Sequence, residues 1–320
     1  MLRRTLAIIL LLLALSIGIA VPILTFTPLG ARVLQSFSPT PTPIPSPILT
    51  VRGTPPPVNA KAAYLLDADT GHVLDDVNGE QRLPMASTTK IMTALITIET
   101  ANLDQIVTVH QDAFDEVQKH SGSTANLVVG DQIRLKDLLY GLMLPSGDDA
   151  AIAIADAVSG SPAKFVQVMN NYAHKLHLTQ THYINPDGLT YMTPQGRPDT
   201  NQYMSAADLA HLTRSAMSNP LFAQIVELQH YVLGATTVHH TYIWDSIDTL
   251  LSIYPGATGV KTGHTEEAGY CLVFSATNAG HHLIGVVLNE NSDNQRFVDA
   301  KTLLDWGFNL PLLPPPTPSS

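Results

Sequence analysis

After Pro255-Gly256 the chain becomes three apolar, strand-like segments in close succession, and this run limits the fold more than any other feature. The segments are Gly259 to Thr262, Gly269 to Thr277 and His282 to Leu288, with Asn278-Ala279-Gly280 as a turn between the last two. Strands this close in sequence leave no room for a crossover helix and pair antiparallel. A helix is predicted over Asn294 to Phe308, where Phe297, Ala300, Leu304 and Phe308 recur at three to four residue spacing. Near the start of the body, Ala62 to Asp67 and His72 to Leu74 flank Asp69-Thr70-Gly71 and read as a β-hairpin. Between hairpin and meander the patterns are helical. Ser87 to about Ala101 is apolar around much of its circumference, and Ser146 to Val158 is a second apolar helix. Ser161-Pro162 opens a third that ends near Leu176, and Ser205 to Met217 is a fourth, with Ser205 and Asp208 spaced like a capping box. The predicted fold class is α/β of the α+β kind, an antiparallel sheet flanked by helices with a mostly helical insertion.

The ends of the chain differ from this body. Arg3 and Arg4 precede an apolar stretch from Leu6 to about Phe26, which makes residues 1–28 an export segment with its basic end on the cytoplasmic side. It reads either as a signal peptide cut after Ala20 or as an uncleaved membrane anchor. Residues 29–58 favour the anchor, since Pro39, Pro41, Pro43, Pro45, Pro47 and Pro55 to Pro57 make a stiff extended spacer. The main folded domain is then expected over 59–310, with a Pro-rich tail at 311–320 and a location on the extracytoplasmic face of the membrane, or secretion if the leader is cut. The net charge is −10, and residues 1–58 hold four Arg and no acid, so the rest carries −14. An acidic body of that size argues against nucleic acid as a partner. The single cysteine, Cys271, excludes an intramolecular disulfide and a Cys zinc module. The thirteen histidines include no H-E-x-x-H, and His239-His240 and His281-His282 are adjacent pairs that diverge on a strand; no metal and no cofactor is expected.

Three short elements carry chemistry. Ser87 and Lys90 lie three apart at the head of a helix and so share a face. Serine is a weak nucleophile until a base takes its proton, and a desolvated lysine amine can be that base. Ile91, Met92, Ala94 and Leu95 supply an apolar wall. Ser146-Gly147-Asp148 opens the second helix and is, on its own, equally an N-cap. Lys261-Thr262-Gly263-His264 lies on a strand near a sheet edge, where Lys261 offers a positive charge and Gly263 lets a substrate approach the backbone.

In this order the three elements match the set found in class A β-lactamases and penicillin-binding proteins. The wider sequence resembles the low-molecular-mass penicillin-binding proteins that act as serine-type D-alanyl-D-alanine carboxypeptidases. The similar stretches are Ala62 to Gly71, Pro84 to Lys90, Leu144 to Ala151, Asn185 to Leu189 (NPDGL), Met204 to Ala210 and Tyr254 to Cys271. The resemblance implies that Ser87 is the nucleophile, Lys90 its base, and Ser146 the hydroxyl that passes a proton to the leaving amine. It further implies that Lys261 and Thr262 bind the terminal carboxylate, and that the backbone N–H groups of Ser87 and His264 form the oxyanion hole. The implied partners are a peptidoglycan stem peptide ending in D-Ala-D-Ala, β-lactams as covalent inhibitors, and the membrane through the N-terminal segment. A D,D-endopeptidase, or a catalytically weak peptidoglycan-binding domain, fits the same residues. Members often add a small second β domain and a C-terminal amphipathic helix, and neither is expected here.

Two departures matter. The family usually has Asn where this chain has Asp148. An ionised Asp only accepts hydrogen bonds, and beside Lys90 and Lys261 it favours their charged forms, which opposes Lys90 as a base at neutral pH. Asp148 therefore forms a charge pair, is protonated, or turns away from the site. A class A β-lactamase also needs a glutamate for deacylation, and none occurs between Glu116 and Glu227.

Overall fold

Period-2 alternation builds the centre of the molecule. The computed structural model describes residues 47–313. Strands β1 (Ile48–Leu49), β2 (Ala62–Asp67) and β3 (Val73–Val77) are followed by a 3-10 turn, Ala86–Thr89, that runs into helix α1 (Lys90–Thr100). Then come β4 (Ile106–Thr108), α2 (Gln111–His120), β5 (Gln132–Arg134), α3 (Leu135–Met143), α4 (Asp148–Ser159) and α5 (Pro162–Lys175). Helices α6 (Ala206–Met217) and α7 (Pro220–Glu227) lead to β6 (His230–Leu233) and β7 (Tyr242–Asp245). The short helix α8 (Leu250–Ile253) precedes β8 (Ala257–Thr265), β9 (Gly269–Asn278), β10 (His281–Glu290), α9 (Asp293–Phe308) and β11 (Leu312–Leu313).

The main sheet has the order β3-β2-β10-β9-β8, antiparallel throughout, so the chain's first hairpin joins the C-terminal meander at β2–β10. Successive residues of β2 face opposite ways. Ala63 and Leu65 pack with Phe297, Ala300, Leu303 and Leu304 of α9 on one face. Ala62, Tyr64 and Leu66 pack with the helical insertion on the other, as do Val273, Ile284 and Val286. Helix α1 lies inside that second layer, with Lys90 to Thr97 all buried. The sheet, the hairpin, the helical middle and the closing helix match the expectation.

Several local expectations need correction. Ser146 does not cap α4: the N-cap is Gly147, which makes no side-chain cap bond, and Ser146 itself sits at φ 66°. Ser205 does cap α6, accepting from the Asp208 N–H at 3.1 Å. Asp208 does not complete the box, because its carboxylate instead accepts from Gln180 N and Thr181 Oγ1, each at 2.7 Å. The ordered body also reaches beyond 59–310: Ile48 and Leu49 pair with Leu313 and Leu312, joining part of the expected spacer to part of the expected tail. The expected export segment, most of the expected spacer and residues 314–320 lie outside the described residues, among which no helix is long and apolar enough to cross a membrane.

One buried acid sets a pH dependence of stability. Glu290, at the end of β10, is 2% exposed. Burial, followed by the adjacent Asp299 carboxylate, pushes its carboxyl up to about 8, against an unperturbed 4.5. The folded protein thus binds a proton at Glu290 that the unfolded chain has lost, and this contribution to stability declines as pH rises from about 4.5 through 8. Glu290→Gln should raise Tm by several degrees at pH 8.5 and by much less at pH 5, as read by thermal unfolding; the same shift at both would contradict this.

Candidate active site

Ser87 lies in the 3-10 turn before α1, and the left-handed Ala86 (φ 47°) directs the chain into that turn. A non-glycine residue in this region is uncommon and costs roughly 1–3 kcal/mol, so surrounding packing must hold it. Two neighbours do so. Gly188 (φ +94°) approaches until an added Cβ would stand 1.9 Å from the Ala86 carbonyl oxygen, and at Gly263 of β8 it would stand 3.1 Å from the Ser87 nitrogen. Both contacts admit only glycine without displacement, and the second brings the edge strand against the Ser87 backbone.

Lys90 begins α1, one turn after Ser87, and is fully buried. Its Nζ donates to Ser87 Oγ at 2.9 Å, Asp148 Oδ1 at 2.5 Å and the Asp187 carbonyl at 2.7 Å. An ammonium group has three N–H donors, and each meets one acceptor. Two of the partners come from remote segments, each fixed by its own hydrogen bonds. Asp148 leads α4, and its N–H donates to Ser123 O at 2.9 Å. The neighbouring Asp149 carboxylate accepts from Thr124 Oγ1, Ala125 N and Leu127 N at 2.8 to 3.0 Å, tying the 123–127 loop to α4. Trp244 of β7 closes the same loop by donating to Ala125 O at 2.8 Å.

The Asn185–Leu189 turn presents the Asp187 carbonyl. Asn185 accepts from Gly188 N at 2.8 Å and donates to Leu189 O at 2.7 Å, while Gln202 Nε2 donates to Asn185 Oδ1 at 2.7 Å. Thr93 Oγ1 of α1 donates to Pro186 O at 2.6 Å, so the turn is fastened to the helix that carries Lys90. The Asp187 carboxyl itself is fully buried. Burial, then the Asp148 charge, hold it well above the usual carboxylate range.

Asp148 therefore faces the site and pairs with Lys90, which removes the alternative that it turns away. Burial raises its carboxyl above the ordinary range, while the Lys90 ammonium pulls it down. Lys261 is buried on β8, the sheet's edge strand, and donates to Thr262 O at 3.0 Å. Burial, then the Lys90 charge, push its ammonium well below the usual range, against the opposing pull of Asp248 and Asp148. The Thr262 hydroxyl is buried and, among the described residues, has no hydrogen-bond partner. Ser146 is buried, and its hydroxyl makes no bond to Ser87, Lys90 or Lys261. The His264 side chain is exposed and stacks on Tyr270, with centroids 4.1 Å apart, leaving only its backbone for the site.

Residue spacing alone did not find Asp187, Asn185, Gln202 or Arg296. The first two lie in a turn signalled by Asn-Pro-Asp-Gly. Arg296 of α9 is 7% exposed and donates to Gly263 O at 3.0 Å and Cys271 O at 3.1 Å, and also to Asp293, fixing β8 against β9 beside the site. Taken together, the arrangement places a buried amine on a serine hydroxyl, next to an edge strand bearing a second buried lysine. That is the equipment for attack on a carbonyl whose substrate carries a carboxylate.

Comparison with known proteins agrees with this chemistry. The family model for D-alanyl-D-alanine carboxypeptidase matches residues 50–292. The D-alanyl-D-alanine carboxypeptidase of Streptomyces sp. strain K15 is 38% identical over 273 residues, covering 80% of this chain and 90% of that protein. The D-alanyl-D-alanine carboxypeptidase DacF of Bacillus subtilis is 33% identical over 251 residues, covering 78% of this chain and 62% of its own length. Among solved structures, the Streptomyces K15 DD-transpeptidase superposes with a TM-score of 0.74 at 37% identity, over 81% of this chain and all of that one. Penicillin binding protein 6B of Escherichia coli gives 0.72 at 33% identity, over 82% of each chain. The chain belongs to the D-alanyl-D-alanine carboxypeptidase family of serine hydrolases, whose members act on D-Ala-D-Ala peptides of peptidoglycan and bind β-lactams.

Proposed function

We propose that this chain is a carboxypeptidase that removes the terminal D-alanine of stem peptides through an acyl-enzyme on Ser87. The observation that carries the reading is the buried Lys90 amine, 2.9 Å from the Ser87 hydroxyl. Ser87 Oγ attacks the carbonyl carbon of the penultimate D-alanine and gives its proton to neutral Lys90. The amide C–N bond breaks, the leaving nitrogen takes a proton by way of Ser146, and D-alanine departs. Water then attacks the ester, releasing the shortened peptide and restoring Ser87. Lys261 and Thr262 hold the terminal carboxylate, and the N–H groups of Ser87 and His264 receive the oxyanion. A β-lactam acylates the same serine and carries a carboxylate for the same lysine.

Lys90 must be neutral to act as a base, and Asp148 bears directly on that. In a dry site two opposite charges are costly, and moving one proton from Lys90 to Asp148 converts the ion pair into a neutral amine and a neutral acid. The protonated Asp148 then has a donor and an acceptor, as an asparagine has. In that form the Lys90 amine is free to act as the base. Residues 1–28 act as the membrane anchor and place the enzyme outside the cytoplasm; their basic start and apolar run, followed by the Pro-rich spacer, support this.

Two outcomes are expected. The full-length protein should release D-alanine from a peptide ending in Lys-D-Ala-D-Ala, and Ser87→Ala should abolish the release; a folded native protein that releases none would refute the reading. In pH profiles of kcat/KM, the acid limb of the native enzyme should lie at higher pH than that of Asp148→Asn, because ionised Asp148 favours the charged, non-basic form of Lys90. Superimposable profiles would remove Asp148 from the proton balance.

A further inference from the structure

We propose that Asp248 is a positioning residue for Lys261: its buried carboxylate, lining the same small cavity, keeps that lysine in the charged form that binds the substrate's terminal carboxylate. The proposal rests on the functional reading above, in which Lys261 receives that carboxylate.

Asp248 lies in the turn between β7 and α8. It is 6% exposed, and Oδ2 is buried with no hydrogen-bond partner among the described residues, whereas Oδ1 accepts from Leu250 N at 3.0 Å. The turn is held in place because Ile247 N donates to Leu144 O at 3.2 Å, two residues before Ser146. Asp248, Lys261, Thr262 and Leu144 wall one small cavity behind the edge strand. Asp248 thus shares a buried cavity wall with the carboxylate-binding lysine.

A buried lysine holds its proton only if negative charge offsets burial. Around Lys261 the charged groups are Lys90, Arg296, Asp248 and Asp148; the first two drive the proton off and the last two hold it. Asp148 is already engaged with Lys90 at 2.5 Å, which leaves Asp248 as the counter-ion not committed to another cation. Burial pushes its carboxyl up to about 6, with the Leu250 N–H, Lys261 and Arg296 pulling the other way, so it is ionised at neutral pH. Above that range the ionised Asp248 carboxylate favours the protonated form of Lys261 and opposes the effect of burial. Without the carboxylate charge, Lys261 loses its proton at lower pH and the site loses its hold on an anion as pH rises.

Asp248→Asn tests the charge alone, since an Asn side-chain oxygen still accepts from Leu250 N. With a D-Ala-D-Ala peptide and the full-length enzyme, kcat should stay within about twofold while KM changes with pH. At pH 6 the variant's KM should equal the native value or fall below it, since a repelling carboxylate is gone. At pH 9 it should be at least fivefold higher. A KM ratio that is the same at both pH values overturns the proposal. A second readout uses the native protein without turnover: by NMR, the Lys261 Cε resonance should shift as Asp248 titrates near pH 6. A resonance that stays flat through that range overturns the proposal even if peptide hydrolysis is observed. Failure of peptide hydrolysis alone would count against the functional reading and leave the resonance to decide this one.

Discussion

One nitrogen organises this structure. The buried Lys90 amine is bonded to a hydroxyl in the 3-10 turn just before its helix, a carboxylate from the start of α4 and a backbone carbonyl from the Asn185–Leu189 turn. Removing an ammonium and a carboxylate from water costs several kcal/mol each, and the pair is tolerated only where every remaining hydrogen-bonding position is filled. The Lys90 amine meets that condition, with one acceptor for each of its three N–H groups. Asp149 and Trp244 hold the loop beside α4, Gln202 and Thr93 hold the turn, and strained Ala86 sets the angle of the nucleophile.

The second cation follows the same rule. Lys261 and Lys90 feel each other's charge, and two buried aspartates, Asp148 and Asp248, sit among them. Two lysines and two aspartates make a locally neutral set, with Arg296 bound to backbone carbonyls at its margin. Charge balance at this scale lowers the cost of burying four ionisable side chains in one dry site. The rigid part is the sheet: β8 is an edge strand on one side and fully paired with β9 on the other, so its open side is free to receive a peptide.

The long, periodic elements were legible in the sequence because their packing is repetitive. Helix α1 and the three-strand meander show their buried positions directly. The short elements were not. Strands β4 and β5 have three residues each, and α2 buries only Ala113, so neither leaves a periodic stripe to read. Ser87 and Lys90 were legible from helical spacing, and Lys261 from its place beside Gly263 in a strand. The partners that make Lys90 work come from positions 58 and 97 residues away, and one is a backbone oxygen with no side-chain signature. Arg296 sits on the closing helix, where a charged residue reads as solvent-facing, yet it is buried against β8. The Asn-to-Asp departure at position 148 was visible as a conflict, and only the geometry shows that the carboxylate faces Lys90.

The account's central claim is that Lys90 activates Ser87, and the rate of penicillin acylation measures it without depending on turnover. Intact-mass analysis of the full-length protein should show a single penicilloyl adduct, mapped to the peptide containing Ser87. In Lys90→Gln the adduct should form at least about a hundredfold more slowly, the usual loss on removing a general base. An adduct on another residue, or equal rates in the two proteins, would contradict the account.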